Sequence, residues 1–151
     1  MPNPFLNPFQ IENANWHDLN PLRQIERECF GQDAWPLWDL ISVLTLPNIV
    51  RLKAIVSGQM VGFIAGESKR SEGVGWVTTL GVLPSYRRHG IARGLLATCE
   101  EKLAMPRIRL SVRRSNQAAI QLYLGVGYRQ TGVWPRYYYG GEDALVLEKE
   151  R

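Results

Sequence analysis

The residues from Val82 to Arg93 are the part of this 151-residue chain whose types and spacing point most directly to chemistry. An apolar segment ends at Pro84, and two arginines, a histidine and Gly90 follow before a helical pattern begins. Backbone N–H groups at a helix start favour negative charge, because they have no acceptor within the helix. Together with the nearby arginines, this segment predicts a cradle for a diphosphate.

The predicted cradle differs from the two commonest nucleotide-binding loops. A dinucleotide-binding loop opens its helix with three glycines and has an acidic residue about twenty positions later. Here only Gly90 and Ala92 are suitably small. The lysine and following serine or threonine of a P-loop are also missing. The sequence therefore argues against nucleoside triphosphates as ligands.

Composition and length indicate an ordinary globular protein, with 45% hydrophobic and 21% charged residues. We expect one domain over residues 1–151, with residues 1–8 as a flexible or extended lead-in. The chain has no apolar run of about 18 residues, so no membrane partner is expected. The N-terminus lacks the pattern of a secretion signal, which favours a cytoplasmic location.

Basic residues give a net charge of +4 and form two clusters, Arg87/Arg88/Arg93 and Arg107/Arg109/Arg113/Arg114. Such clusters can be a solvated surface, a nucleic-acid interface or a site for an anionic cofactor. Aromatic residues are not interleaved with these arginines, so no nucleic-acid partner is expected. Cys29 and Cys99 lie far apart and show no metal-site spacing, so we expect reduced thiols and no metal.

Hydrophobic periodicity indicates the elements that must position the cradle. Strands are predicted over 9–14, 49–56, 60–67, 74–82 and 108–112, with two more after 128 joined by a Gly140-Gly141 turn. Helices are predicted over 19–30, 35–46 and 89–104, and from Ser115 or Asn116 to Gly127. Three successive strands should be antiparallel, whereas a helical crossover should make 74–82 and 108–112 parallel. This order predicts an α+β fold with a mixed sheet.

Three sequence blocks resemble the GNAT superfamily of acyl-CoA-dependent N-acetyltransferases. The first, Arg87-Arg88-His89-Gly90-Ile91-Ala92, matches the superfamily signature Q/R-x-x-G-x-G/A. The second runs over 110–123 and continues to Gly127-Tyr128, and the third runs from Arg136 through Tyr137-Tyr138-Tyr139 to Ala144. In this order the blocks are similar to bacterial ribosomal-protein alanine N-acetyltransferases (RimI-like) and their N-terminal acetyltransferase relatives.

The resemblance implies a GNAT fold of α/β/α layers, with about six to seven strands and about four helices. Two central parallel strands would splay apart, and the pantetheine arm of acetyl-CoA, the co-substrate, would lie in the gap. The diphosphate would rest on the cradle. The cofactor-binding residues so implied are Leu80, Gly81, Val82, Arg87, Arg88, His89, Gly90, Ile91, Ala92, Arg93, Asn116 and Tyr123.

The resemblance also implies two catalytic groups. The Val82 N–H would donate to the thioester oxygen as negative charge develops there. Tyr123 would protonate the departing thiolate, since a phenol of pKa about 10 is protonated at neutral pH and close to a thiol in acidity. Plainer interpretations stay open: a β-bulge at Gly81, a helix cap at Asn116 and a core aromatic at Tyr123.

Ser111 stands where the resembling alanine acetyltransferases have a glutamate that acts as general base. A serine hydroxyl cannot take the ammonium proton unaided. Three readings remain: Ser111 holds a relaying water, another group such as Glu67 is the base, or the amine arrives neutral. An α-amine of pKa about 7.7–8.0 suits the third reading. The base is therefore unassigned.

Tyr138 and Tyr139 are the predicted acceptor-binding residues, because paired tyrosines at this place line the peptide groove in the N-terminal acetyltransferase relatives. The expected activity is acetyl transfer from acetyl-CoA to a protein or peptide N-terminal α-amine within a ternary complex. A small amine as acceptor and a non-catalytic acyl-CoA sensor are the alternatives. The protein is expected to be a monomer or a homodimer.

Overall fold

The computed structural model describes residues 8–151. In this range, segments with alternating apolar residues form seven strands, and segments with apolar residues every three or four positions form four α-helices. In chain order these are β1 (Gln10–Asn13), α1 (Leu19–Phe30), α2 (Leu37–Thr45), β2 (Ile49–Val56), β3 (Gln59–Lys69), β4 (Val74–Val82), α3 (Ile91–Leu103), β5 (Arg107–Arg113), α4 (Gln117–Gly125), β6 (Arg129–Trp134) and β7 (Ala144–Glu150). The expected lead-in lies outside the described residues apart from its last position. None of the helices in this range is long and apolar enough to cross a membrane.

The strands form one mixed sheet in the order β1-β2-β3-β4-β5-β7-β6. Neighbouring strands are antiparallel except β4 and β5, which are parallel. The parallel pair follows from the α3 crossover between them. The predicted α+β fold with a central parallel pair is therefore confirmed.

Helices cover both faces of the sheet, and glycines allow their close approach. A Cβ on Gly62 would lie 3.1 Å from Leu95 in α3, whereas a Cβ on Gly81 would lie 3.1 Å from the Cys29 sulfur in α1. Gly62 pairs with Val82, the neighbour of Gly81, so the two glycines point to opposite faces. The apolar core lies in these two layers, with α3 on one side and α1 on the other.

Helix starts and ends follow local signals with one exception. α2 begins after Pro36, α4 is capped by Asn116, and α3 ends at Ala104 in the left-handed region. Asp18 precedes α1 but makes no side-chain cap bond. Its carboxylate instead pairs with Lys53 of β2 at 2.9 Å, which ties the start of α1 to the sheet.

The predicted two-residue Gly140-Gly141 hairpin is wrong. β6 ends at Trp134 and β7 begins at Ala144, so the connection runs over residues 135–143 and includes Tyr137, Tyr138 and Tyr139. Both glycines have positive φ, 83° and 84°, within a short 3-10 turn inside this connection. The tyrosines therefore lie in a long loop that can fold over the sheet.

Candidate active site

The parallel strands β4 and β5 separate after a short common segment. They pair only at Val74–Arg107, Gly75–Ile108 and Trp76–Arg109 in the described chain. The β3–β4 register shifts directly afterwards, because Ala65 pairs with Thr79 while Gly66 pairs with Val77. Thr78 is therefore the extra residue of a β-bulge, which increases twist and bends a strand. The bulge accounts for the gap that opens between the two strands.

Backbone groups of β4 point into this gap. The Leu83 N–H donates to the Val61 carbonyl at 2.8 Å, so alternate N–H groups of β4 face β3. By the same alternation, the N–H groups of Leu80 and Val82 face the gap on the β5 side. The Val82 carbonyl accepts from Arg87 Nε at 3.0 Å and from the Cys29 thiol at 3.3 Å, which fixes the end of the strand.

Gly81 is not the bulge. It pairs regularly with Phe63, and the bulge lies three residues earlier, at Thr78. A Cβ on Gly81 would lie 3.1 Å from the Cys29 sulfur and 3.2 Å from a methyl carbon of Ile25. Glycine at this position therefore lets α1 pack closely against β4 beside the gap.

The segment between β4 and α3 forms an exposed loop that leads into a helix start. Arg88 has φ of 65° and Gly90 has φ of 80°, and α3 begins at Ile91. The first bond of the helix runs from the Gly94 N–H to the Gly90 carbonyl at 3.0 Å. The N–H groups from Ile91 to Arg93 therefore have no helical acceptor and are directed at the loop.

Three arginines lie in this loop or in the first turn of α3, without carboxylate partners in the described part of the chain. Arg87, Arg88 and Arg93 are exposed, and none forms an ion pair within residues 8–151. A guanidinium nitrogen of Arg93 lies 3.9 Å from where a Cβ on Gly125 would stand, so its side chain reaches the end of α4. Free N–H groups and guanidinium groups that no carboxylate of the described residues neutralises together suit a polyphosphate.

Helix α4 contributes Asn116 and Tyr123. Asn116 Oδ1 accepts from the Ala119 N–H at 3.2 Å, so this residue is the N-cap of the helix. Tyr123 is 7% exposed, and its ring meets Tyr128 edge-on at 5.7 Å between centroids. Burial raises the pKa of the Tyr123 hydroxyl, which keeps the phenol protonated. Tyr123 is thus a core aromatic residue whose hydroxyl keeps its proton at neutral pH.

A groove of about 640 Å³ lies on the sheet face that carries α1. Aromatic, charged and polar side chains line it, among them Trp35, Glu67, Trp76, Arg109, Ser111, Trp134 and Tyr137. Trp76 stacks on Trp134 at 5.7 Å, and Trp134 meets Tyr137 at 5.1 Å. Because Trp76 lies on β4 and Trp134 at the end of β6, this aromatic row crosses the faces of β5 and β7.

Ser111 meets the long loop inside the groove. Its hydroxyl lies 3.3 Å from the Tyr138 hydroxyl, and burial raises the pKa of that phenol. Neither Tyr138 nor Tyr139 is among the residues that line the groove, and the Tyr139 side chain is 72% exposed. Of the two predicted acceptor-binding tyrosines, Tyr138 is therefore the one brought to Ser111.

Arg113 ties together the two segments that border the groove. Its guanidinium donates to Asp33 at 2.5 and 2.8 Å, to Glu142 at 2.6 Å and to the Tyr139 carbonyl at 2.9 Å. It also lies 4.9 Å above the Tyr138 ring. The guanidinium lowers the pKa of the Asp33 carboxyl. The sequence reasoning missed this tie, although Arg113 stands two residues after Ser111 and so shares its face of β5.

Two glutamates are candidates for the unassigned base, and only one was foreseen. Glu67 on β3 is exposed and lines the groove. Glu26 on α1 is 2% exposed, accepting from the Thr79 hydroxyl at 3.0 Å and the Trp35 N–H at 3.3 Å. Glu26 lies four residues after Leu22 and three before Cys29, on the apolar face of α1, so helical periodicity could have indicated this buried carboxylate, which the sequence reasoning missed.

Known proteins resemble this chain over most of its length. The profile described as "Acetyltransferase (GNAT) family" matches residues 15–128. The catalytic subunit NAA10 of the N-terminal acetyltransferase A complex from Arabidopsis thaliana is 30% identical over 146 residues, covering 92% of this chain and 76% of that protein. The N-alpha-acetyltransferase RimI of Mycobacterium tuberculosis is 32% identical over 148 residues, covering 95% and 93%.

Solved structures agree on the fold. The ribosomal-protein-S18-alanine N-acetyltransferase of Escherichia coli superposes with a TM-score of 0.85 at 24% identity, covering 95% of this chain and 94% of that one. NAA60 of Arabidopsis thaliana, solved with a bisubstrate analogue, gives 0.83 at 22% identity, covering 95% and 98%. The chain belongs to the GNAT family of acetyltransferases, as its sequence blocks predicted.

Proposed function

We propose that this protein transfers the acetyl group of acetyl-CoA to the N-terminal α-amine of a protein or peptide. The observation that carries the proposal is the gap between β4 and β5, which has the anion cradle at one end and the aromatic groove on one face. The relatives named as N-terminal and N-alpha-acetyltransferases support the choice of acceptor.

The residues around the gap fit acetyl-CoA, which would supply the activated acetyl group. The free N–H groups from Ile91 to Arg93 would hold the diphosphate, with Gly90 in the positive-φ conformation that turns them toward it. The guanidinium groups of Arg87, Arg88 and Arg93 would balance phosphate charge, including that of the 3′-phosphate. The backbone of β4 from Leu80 to Val82 would bind the extended arm, with Asn116 on the other side.

The transfer itself would use groups of β4 and α4. The N–H of Val82, with that of Leu80 beside it, would stabilise negative charge developing on the thioester oxygen. A donor of this kind is typically worth about 3–4 kcal/mol of activation free energy. Tyr123 would give its proton to the thiolate that leaves, which its buried and protonated state permits.

The groove favours a peptide over a small amine as acceptor. Its 640 Å³ extend from Trp35 and Glu67 to Tyr137, more room than an isolated amine fills. Tyr138 would bond the peptide near its first residue, since its hydroxyl lies at Ser111 beside the gap. A small-amine acceptor and a non-catalytic acyl-CoA sensor remain the competing functions.

Release of CoA in the presence of peptides with free α-amines tests the proposal. We expect turnover that requires the free amine and falls about 100-fold or more in Tyr123→Phe, with acetyl-CoA affinity unchanged. Tyr86→Phe is the matched control, because the Tyr86 hydroxyl meets Gln59 at 3.4 Å outside the gap. Binding of acetyl-CoA without transfer to any amine would favour the sensor, and full activity of Tyr123→Phe would remove Tyr123 as the acid.

We further propose the cytoplasm as the place of action and a monomer or homodimer as the active form. The free thiols of Cys29 and Cys99 suit a reducing compartment. Within the described residues, β1 and β6 are the edges of the sheet, and two copies could associate through such edges.

A further inference from the structure

Glu26 is an unusual residue for the interior of this protein. Its side chain is 2% exposed, and it forms no ion pair within residues 8–151. Burying a carboxylate without a cation is costly, and such groups concentrate at functional sites. Burial raises the pKa of Glu26, which makes it a better proton acceptor than an exposed glutamate.

The contacts of Glu26 lead to the gap between β4 and β5. Its Oε1 accepts from the hydroxyl of Thr79, which lies between the bulge residue Thr78 and Leu80. The Leu80 N–H faces the gap, so the Thr79 hydroxyl lies one residue from a proposed donor to the thioester oxygen. Thr79 is only half-buried, whereas Glu26 is enclosed behind it.

We propose that Thr79 and Glu26 form the path that takes the proton from the acceptor amine. This inference rests on the proposed function and supplies the base that Ser111 cannot be. The Thr79 hydroxyl, directly or through one water, is the group that meets the amine, and Glu26 acts through it.

The proton balance is complete with the groups at hand. The ammonium gives one proton to Thr79 Oγ1 as the Thr79 hydroxyl proton passes to Glu26 Oε1, which leaves a neutral amine. The amine nitrogen then forms its bond to the acetyl carbon while the carbon–sulfur bond breaks. Tyr123 protonates the sulfur, and the second amine proton restores the Tyr123 phenol. Glu26 finally returns its proton to solvent.

Glu67 is the competing carboxylate, and its position in the sheet is less suitable. It pairs with Trp76, where β4 and β5 are still joined, and Leu80 lies four residues further along β4. That separation is about 13 Å along a strand. A base must lie within hydrogen-bond reach of the amine or one water away. Thr79, next to Leu80, meets this condition better.

The other titratable groups around Glu26 either form ion pairs elsewhere or lie away from its carboxylate. Cys29 lies on the next turn of α1, with Arg87 beyond it at the Val82 carbonyl. On the elements packed against α1, Asp18 pairs with Lys53 and Asp33 pairs with Arg113, while Asp39 and Glu67 line cavities at the groove. The titration of Glu26 should therefore be governed mainly by its own burial.

Glu26→Gln tests the path while keeping the local packing. The Gln oxygen can still accept from the Trp35 N–H, and its amide can donate to Thr79 Oγ1. We expect kcat/KM for the peptide to fall about 100-fold at pH 6.5, with acetyl-CoA affinity unchanged. The loss should shrink to less than about tenfold at pH 9, because the α-amine, of pKa about 7.7–8.0, is then already neutral.

Thr79→Val should reproduce this pH-dependent loss, and Thr79→Ser should restore most of the activity. Glu67→Gln is the matched control and should keep the wild-type pH profile. Wild-type rates in Glu26→Gln at pH 6.5, or a pH-dependent loss in Glu67→Gln instead, would overturn the inference. An equal loss at every pH would indicate a purely structural role and would also overturn it.

Failure of the inference is distinguishable from failure of the proposed function. If the wild-type protein acetylates no α-amine, the proposed function is wrong, and the Thr79–Glu26 path falls with it. If the wild type is active and Glu26→Gln is equally active at low pH, the function stands and only the Thr79–Glu26 path is wrong.

Discussion

The two basic clusters of this chain look alike in sequence and differ completely in structure. Arg87, Arg88 and Arg93 form no ion pair in the described part of the chain, and they surround a helix start. Arg107 and Arg109 instead pair with Glu148, Arg114 pairs with Asp143, and Arg113 pairs with Asp33 and Glu142. No carboxylate of the described residues neutralises the first cluster, whereas the second is paired within the fold.

Under the proposed function, the loop from Pro84 to Arg93 belongs to a donor half of the site and the aromatic groove to an acceptor half. The donor half carries exposed positive charge that would suit a polyphosphate, and its geometry depends on one short loop. The acceptor half is held in shape by Arg113, which joins the segment at Asp33 to the loop at Glu142, and it presents aromatic surface between them. Changes in the two halves should therefore affect different kinetic constants.

Gly90→Glu should have the largest effect and concern only the donor half. A left-handed conformation costs a residue with a Cβ about 1–2 kcal/mol, and a carboxylate would repel the diphosphate. We expect acetyl-CoA affinity to fall about 100-fold or more by calorimetry. Gly58→Glu is the matched control, since Gly58 also has positive φ and open space but lies in the β2–β3 turn. An equal loss of acetyl-CoA affinity in both variants would show that the loop at Gly90 does not bind the diphosphate specifically.

Asp33→Asn should have a smaller effect, confined to the acceptor half. The Asp33 pKa is lowered by Arg113, so the ion pair is complete at neutral pH and is lost as pH falls through that lowered value. We expect KM for the peptide to rise about tenfold, because the groove loses its tie, while KM for acetyl-CoA stays constant. Glu150→Gln, which breaks the exposed pair with Arg129, should change neither constant. A rise in KM for acetyl-CoA instead would show that the donor and acceptor halves do not act separately.

Glu26→Gln should have the smallest effect when stability rather than activity is measured. Because the folded-state pKa of Glu26 is raised, the folded state holds its proton more tightly, and stability falls as pH rises through that range. Gln has no charge to bury, so the variant should melt higher than the wild type at pH 8, by on the order of 2 °C. At pH 4 the difference should vanish. Circular dichroism can follow both melting temperatures. If they differ by the same amount at pH 4 and at pH 8, Glu26 does not become charged over this range and the prediction is wrong.

The donor half was largely predictable because its determinants are local. Strand β4 was predicted with its observed bounds, and Gly90 and Pro84 mark the loop by backbone chemistry alone. The parallel pairing of β4 and β5 followed from the α3 crossover. The bulge at Thr78 was not foreseen, since no residue type distinguishes Thr78 from Thr79.

The acceptor half was less predictable because its determinants are distant in sequence. Arg113 and Asp33 are 80 residues apart, and nothing in either neighbourhood indicates the partner. The paired glycines suggested a tight hairpin, but the strands stop earlier and leave a nine-residue connection over 135–143. Glu26 falls on the apolar face of α1 between Leu22 and Cys29, so periodicity marks it as buried, but nothing local indicates its partner Thr79, 53 residues away.

The short junction between β4 and β5 has a consequence for the protein's lifetime. Among residues 8–151, three residue pairs join the block β1–β4 to the block β5–β7–β6 within the sheet. An extended arm seated in the gap would act as the missing piece of strand, and a ligand that binds only the folded state stabilises it in proportion to its concentration. The supply of acetyl donor would then add to the stability of the junction, and a chain without it would be unfolded, and open to proteolysis, for more of the time.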